Sequence, residues 1–399
     1  MMLSLATLVF AVLPQEPVSA PVVYKAAKVY TADEAGMIDR GVIVVQDGKI
    51  LWAGREKDVE IEDGIEVVDL GNVWLVPGMI EPHNHVAGSL SDLNDNVYLT
   101  NPEFRTHDLL EPRNAMLQDA VAGGVTTALL IPGSGSNMGG FGMVVKTSSD
   151  TIEDMVVRSP GSLKVAQAGN PERYSFGVGR AMMNWNTRNT LTEGLDWAAA
   201  YREGKVPFDP RYEGFIGLEN HTVPVSVHTQ MYQVVMQTLV MQVQELGLKS
   251  FVDHGTFDGF RNAPLAAELG VPVMNGPRQF YFDRANSRIV GCAAGWDSVD
   301  GLILGYNTDA PVIPQEELPL QAALGVRYGA GDAEAALKGL TANAAIALLI
   351  EDVSGRLVPG LDADFVAWTG DPVDPRNSVL AAWVRGKKVY DVEEDGQRF

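Results

Sequence analysis

Between Val125 and Gly305 the chain alternates short apolar runs with stretches of helical spacing. Val125 to Ile131, Val223 to Val227, Ser250 to Val252, Val271 to Met274 and Leu302 to Gly305 read as buried strands. Arg113 to Ala122, Tyr232 to Leu246 and Ala263 to Leu269 read as helices, and Ala333 to Leu349 as the last long one. Repeated strand-then-helix units bury a parallel sheet under helices. A chain of 399 residues is long enough to close such units into a (β/α)₈ TIM barrel, giving an α/β fold.

The two ends read differently. Val42 to Val45 and Ile50 to Trp52 flank Gln46-Asp47-Gly48-Lys49, and Asp-Gly is a strong hairpin turn. Val22 to Tyr30, Ile65 to Leu70 and Val73 to Val76 extend this β character. It returns at Asp364 to Trp368 and Ala381 to Val384, before a Gly386-Lys387 turn. The expectation is one composite β-sandwich from residues 21–75 and 358–392, bracketing a barrel over 76–357.

The formal net charge of −21 repels phosphate backbones, which excludes a nucleic-acid partner and leaves a small-molecule substrate. Self-association stays open. One cysteine, Cys292, rules out an intrachain disulfide and fits a small buried hydrophobe. Met1 to Leu13 is apolar but too short to span a bilayer comfortably, and Val18-Ser19-Ala20 follows as a small-x-small site. Residues 1–20 therefore read as a cleaved export signal, implying a periplasmic or extracellular protein with no stable membrane association.

Four of the six histidines sit at predicted strand ends. His83 and His85 are two apart, so in a strand both imidazoles face one side. His228 ends the run from Val223, His254 ends the run from Ser250, and Asp309 follows the run from Leu302. Imidazole and carboxylate are ligands for zinc and similar ions. The C-terminal strand ends of a barrel are where catalytic groups collect. His107 and His221 lie in polar, loop-like contexts and read as surface or rim residues. Trp185, Phe280 and Tyr281 read as core packing before pocket lining.

These residues carry a resemblance to the amidohydrolase superfamily that covers nearly the whole mature chain. Pro77 to His85 is similar to its first-strand motif, with Glu81 where aspartate is usual. His228, His254 and Asp309 stand where the family has its fifth-, sixth- and eighth-strand residues. Gly355-Arg356-Leu357-Val358-Pro359-Gly360-Leu361-Asp362-Ala363-Asp364 resembles its closing motif. Gly139 to Lys146, and Leu163-Lys164 followed by Asn170-Pro171-Glu172-Arg173, resemble the imidazolonepropionase-like group. Gly169 and Gln230 stand where relatives often carry an acid and a second histidine.

The resemblance implies a metal-dependent hydrolase of non-peptide carbon–nitrogen bonds. One or two divalent ions, zinc foremost, would be held by His83, His85, His228, His254 and Asp309. Lys146 and Lys164 are both candidates for a carboxylated bridging lysine. Asp309 is the expected proton carrier, and His254 or a pocket residue the expected support for the oxyanion. Arg173, Arg180 and Arg188 are candidates for a substrate carboxylate. Rival readings are an exported dipeptidase, a deaminase and a barrel that only binds ligands. The deaminase is disfavoured because His228-Thr229-Gln230-Met231 holds no acid.

Overall fold

A computed structural model describes residues 19–87, 93, 98–167, 169–174 and 177–399. Most of the expected export signal, residues 1–18, lies outside the described residues. No described helix is long and apolar enough to cross a membrane.

The fold is mixed α/β. The N-terminal segment supplies β1 (Val22–Tyr30), β2 (Met37–Gln46), β3 (Lys49–Arg55), β4 (Glu66–Asp69) and β5 (Trp74–Pro77). Asp47 and Gly48 take φ of 49° and 75° between β2 and β3. Two successive left-handed residues match the right-handed twist of a hairpin, as the Asp-Gly signal predicts.

The middle begins with β6 (Met79–Asn84), paired parallel to β7 (Val125–Leu130). The next extended stretch, β8 (Met138–Phe141) and β9 (Met143–Lys146), runs antiparallel and bends at Gly142. A Cβ on Gly142 would lie 2.4 Å from the Leu130 carbonyl oxygen, so the bend requires glycine. The short β10 (Val156–Arg158) edges this four-stranded sheet.

Then β11 (Leu163–Ala166), β12 (Val225–Thr229), β13 (Ser250–His254) and β14 (Val273–Asn275) run parallel. After a hairpin of β15 (Phe280–Asp283) and β16 (Arg288–Gly291), β17 (Leu304–Tyr306) completes a six-stranded sheet with β8 at its other edge. Beyond β17, the Asn84–Ala310 bridge and the His85 N–H donating to the Ala310 carbonyl (2.8 Å) reach back to β6.

At the end, β18 (Phe365–Trp368) pairs with β5, followed by β19 (Val379–Val384) and β20 (Lys387–Asp391). Both ends of the chain thus share one eight-stranded sheet. The helix expected over Ala333 to Leu349 divides at Thr341 into Ala333–Leu340 and Ala342–Leu348.

One metal-ligand candidate is displaced from that role. Lys146, at the end of β9, is fully buried and lies 3.0 Å from Asp362, with Asp364 closer still. Asp364 also accepts from Ser354 Oγ (2.8 Å) and the Arg385 N–H (2.9 Å). The lysine therefore pins the four-stranded sheet to the chain entering β18. A buried cation needs a matched anion, and here two aspartates from the closing motif supply it. Replacing Lys146 with Met should lower unfolding stability in urea by about 3–5 kcal/mol, because both carboxylates lose their buried partner. A loss under about 1 kcal/mol would contradict this reading.

Candidate metal centre

The strand ends bring four histidines together. His83 sits in β6 and His85 just beyond it, His228 in β12, and His254 at the end of β13. Ring centroids of His83 and His85 are 4.8 Å apart, of His83 and His254 4.7 Å, and of His228 and His254 4.5 Å. Asp309 follows β17, and Lys164 lies in β11.

Each imidazole is held through Nδ1. His85 Nδ1 is 2.7 Å from the Ile131 carbonyl, and His254 Nδ1 is 2.8 Å from the Gly276 carbonyl. A carbonyl can only accept, so these nitrogens carry the protons and both Nε2 atoms present lone pairs. His83 Nδ1 lies 2.9 Å from Asp253 Oδ2, at an angle too bent for a full hydrogen bond. His228 Nδ1 meets Ser134 Oγ at 2.9 Å. Anchoring one ring nitrogen to aim the other is how proteins orient metal-binding histidines.

The inward atoms of His85, His254 and Asp309 do not satisfy one another. His85 Nε2 faces Asp309 Oδ1 at 3.0 Å, a lone pair against a carboxylate oxygen. His83 Nε2 lies 3.3 Å from the same oxygen and 2.9 Å from Lys164 Nζ. His254 Nε2 is buried with no hydrogen-bond partner among the described residues. Ligand atoms of His83, His254 and Asp309 all lie within 4.8 Å of one another. Facing acceptors are reconciled only by a proton or a cation between them, so the donor set fits a divalent ion. His85 joins this set through Asp309, and His228 lies behind His254.

Electrostatics point the same way. Burial pushes the His254 imidazole down to about 4, against the pull of Asp309. Burial, then His254 and Lys164, hold His228 well below its ordinary value. Burial works against ionising Asp309, yet the surrounding imidazoles, His254 first and then His83 and His85, hold its carboxyl well below the usual range. For His83 burial opposes the proton, but Asp253 and Asp309 outweigh it and the value rises. The neutral imidazoles of His228 and His254 beside an ionised carboxylate need little rearrangement to accept a cation.

Backbone strain sits at the same place. His254 and Asp309 take φ of 74° and 54°. Left-handed backbone is uncommon for such residues and stands at about 1–3 kcal/mol each. The Asn275 amide, donating to the His254 carbonyl at 2.6 Å, helps hold the first turn. The turn breaks the strand alternation, so Asp253 and His254 both face the cluster although they are adjacent.

Glu81, the departure noted in the first-strand motif, ties β6 to the segment carrying Asp309. Its carboxyl accepts from the His83 N–H (3.0 Å), the Thr308 N–H (3.0 Å) and Thr308 Oγ (2.6 Å). Burial raises it to about 8 against those three donors. Asp253, Ser134 and Thr308 were not singled out from the sequence. Asp253 stood next to a histidine already chosen, and that adjacency was the available signal. Ser134 lies in a Gly-Ser loop that carries none.

The remaining candidates separate cleanly. Lys164 is in the cluster and Lys146 is not. His107 and His221 are exposed, as expected. Cys292 is buried, and burial pushes its thiol up to about 11. Trp185 and Phe280 do not pack in the core: they are 60% and 40% exposed. A cavity of about 600 Å³ opens onto His228 and Asp309, with Gln230 and Phe280 in its wall.

Two measurements follow from this geometry. In metal-free protein the His254 ring should stay neutral from about pH 8 down to about pH 5.5, because its value lies far below the ordinary 6.5. Histidine ring NMR reads this, and a titration of His254 near 6.5 would contradict it. Glu81→Ala should lower unfolding stability by roughly 3 kcal/mol or more, since three buried donors lose their acceptor. Urea unfolding reads that change, and a loss below about 1 kcal/mol would contradict it.

No family model matches the chain. Among curated proteins it is 24% identical to the amidohydrolase tasK of Hapsidospora irregularis, over 89% of this chain. It spans 40% of that protein's length, so tasK's activity as a whole is not carried over. It is also 24% identical to imidazolonepropionase of Pseudomonas putida, over 88% of this chain and 91% of that one. An amidohydrolase structure from Thermotoga maritima MSB8 aligns with a TM-score of 0.81 and 28% identity, over 93% of this chain and all of that one. With these likenesses beside the strand-end histidines, the chain is similar to the amidohydrolase superfamily and, within it, to the imidazolonepropionases.

Proposed function

We propose that this protein is a metal-dependent hydrolase that cleaves an amide or cyclic amide bond other than a peptide bond. The observation that carries the reading is the facing pair of acceptors, His85 Nε2 and Asp309 Oδ1, beside the Nε2 of His254, which is buried with no hydrogen-bond partner among the described residues. The named relatives support the hydrolase class.

In this reading the four-stranded and six-stranded sheets form one (β/α)₈-like barrel over 76–357, with β8–β9 as a reversed strand. The eight-stranded sheet of 21–75 and 358–392 folds into the small sandwich. His83, His85, His228, His254 and Asp309 hold one or two divalent ions, zinc being the expected one. Lys164 is the lysine that would bridge a second ion after carboxylation. A bound divalent ion supplies the acidity that makes water a nucleophile near neutral pH.

The chain's own groups do the rest. Asp309, ionised and beside the cavity, takes the proton from the attacking water and returns it to the leaving nitrogen. His254 acts as a ligand and not as support for the oxyanion. Its Nδ1 proton is committed to the Gly276 carbonyl, and its Nε2 has none to give. Asp253 and Ser134 keep His83 and His228 turned inward. His83, His85, His228 and His254 are buried, and the cavity opens onto the cluster at His228 and Asp309.

The apolar run after Met1 and the Val18-Ser19-Ala20 site support export, which N-terminal sequencing of secreted protein would test.

Purified protein should carry zinc, manganese or iron at near-stoichiometric level by elemental analysis, and chelation should abolish amide hydrolysis until metal is restored. Asp309→Asn should lower kcat by about a thousandfold or more while metal content stays largely intact through the histidines. Full activity in that variant, or metal-free protein that turns over, would overturn the assignment.

A further inference from the structure

Arg173, Arg180 and Arg188, all between β11 and β12, have different surroundings. Arg180 pairs with Glu172 and Arg188 with Glu245. Arg173 has no ion pair or hydrogen bond among the described residues, and it lines the cavity over the metal cluster. Arg278, two residues past the carbonyl that orients His254, lines the same cavity. It too has no acidic partner among the described residues; its guanidinium lies 5.3 Å from the Phe257 ring centroid.

The chain carries 51 acidic and 30 basic residues. Most of its described arginines find a carboxylate, although Arg55, Arg284, Arg288 and Arg327 are also exposed without an ion pair among the described residues. Elsewhere on the described surface, exposed arginines such as Arg113, Arg202, Arg211 and Arg376 are matched by nearby carboxylates. Among the described residues that line the cavity the only acid is Asp309, which belongs to the cluster. Two arginines without a carboxylate partner among the described residues therefore line a space large enough for a small molecule. They come from separate segments, Arg173 from Asn170–Tyr174 and Arg278 from the turn after β14.

The rest of the wall is mixed, with Asn170, Gln230, Thr256 and Gln279 among apolar side chains. Phe257, Phe280, Val312 and Ile313 line it, with Phe280 40% and Val312 61% exposed. A ligand that covers them removes apolar surface from water, and one that also carries an anion satisfies the guanidiniums.

We infer that the substrate is an amide bearing a carboxylate and an apolar group, of the N-acyl amino acid class, with Arg173 and Arg278 holding the carboxylate. This deepens the hydrolase reading and rests on it. The reaction adds one water: the acyl carbon–nitrogen bond breaks, hydroxyl joins the acyl carbon, and hydrogen joins the nitrogen. An N-acyl amino acid becomes a carboxylic acid and a free amino acid, with no oxidant or further reactant.

The test compares N-benzoyl-phenylalanine with N-benzoyl-phenethylamine, which lacks only the carboxylate, on metal-loaded full-length protein. The acid should have the higher kcat/KM by roughly ten- to a hundredfold, the range of a charge-assisted contact. The double variant Arg173→Gln/Arg278→Gln should bring the ratio close to one, chiefly by raising KM for the acid. Arg211→Gln, on the distant surface, should leave the ratio as in the parent. Equal rates for both amides in the parent, or an unchanged ratio in the double variant, would overturn the inference.

A binding arm separates its failure from failure of the hydrolase reading. On chelated protein, 3-phenylpropanoate should bind more tightly than 3-phenylpropanol, and the double variant should weaken it by about tenfold or more. If neither amide is cleaved but this pattern holds, the hydrolase reading fails and the anion site stands. If amides are cleaved and the acid binds no better than the alcohol, the anion site fails and the hydrolase reading stands.

Discussion

A charge taken out of water must meet a partner, and the interior of this molecule is arranged around that constraint. Lys146 meets Asp362 and Asp364 where the terminal sheet joins the middle. Glu81 collects three donors where β6 meets the segment after β17. Both are buried ionisable groups that tie together segments far apart in the chain. They are structural clamps, and they fix the frame on which the histidines stand.

The cluster between the clamps is the exception. There the partners are incomplete: a lone pair of His85 faces a carboxylate oxygen, and the His254 Nε2 has no hydrogen-bond partner among the described residues. Left-handed backbone at His254 and Asp309 adds strain to the same spot. Proteins keep such arrangements where a ligand completes them. The difference between the two lysines expresses the contrast. Lys146 is neutralised by two aspartates, whereas Lys164 stands against the ligand nitrogen of His83. The cavity above repeats the pattern at larger scale, with two arginines that have no carboxylate partner among the described residues.

Much of this was legible along the chain because it follows from local periods. His83 and His85 are two apart, and a strand puts both on one face. The runs ending at His228 and His254 carried enough β-branched and apolar residues to read as buried strands. The observed β12 and β13 enclose those histidines. The Asp47-Gly48 turn followed from its two left-handed residues. The strand through Lys146 was legible as a strand but not in its direction. An antiparallel neighbour is set by which strands lie beside it, and Gly142 lets the chain bend to meet both.

The sequence by itself determined the alternation of strands and helices, the residue types able to hold a metal, and their positions at strand ends. Those properties depend on residues a few places apart. Only the tertiary structure decided which lysine belongs to the cluster, which arginines stay unmatched, and that Asp253, Ser134 and Glu81 orient the ligands. Those are contacts between residues tens to hundreds of positions apart: Lys146 and Asp364 are separated by 218 residues, Lys164 and His83 by 81. Such pairings follow from the path of the backbone in space, which no local period encodes.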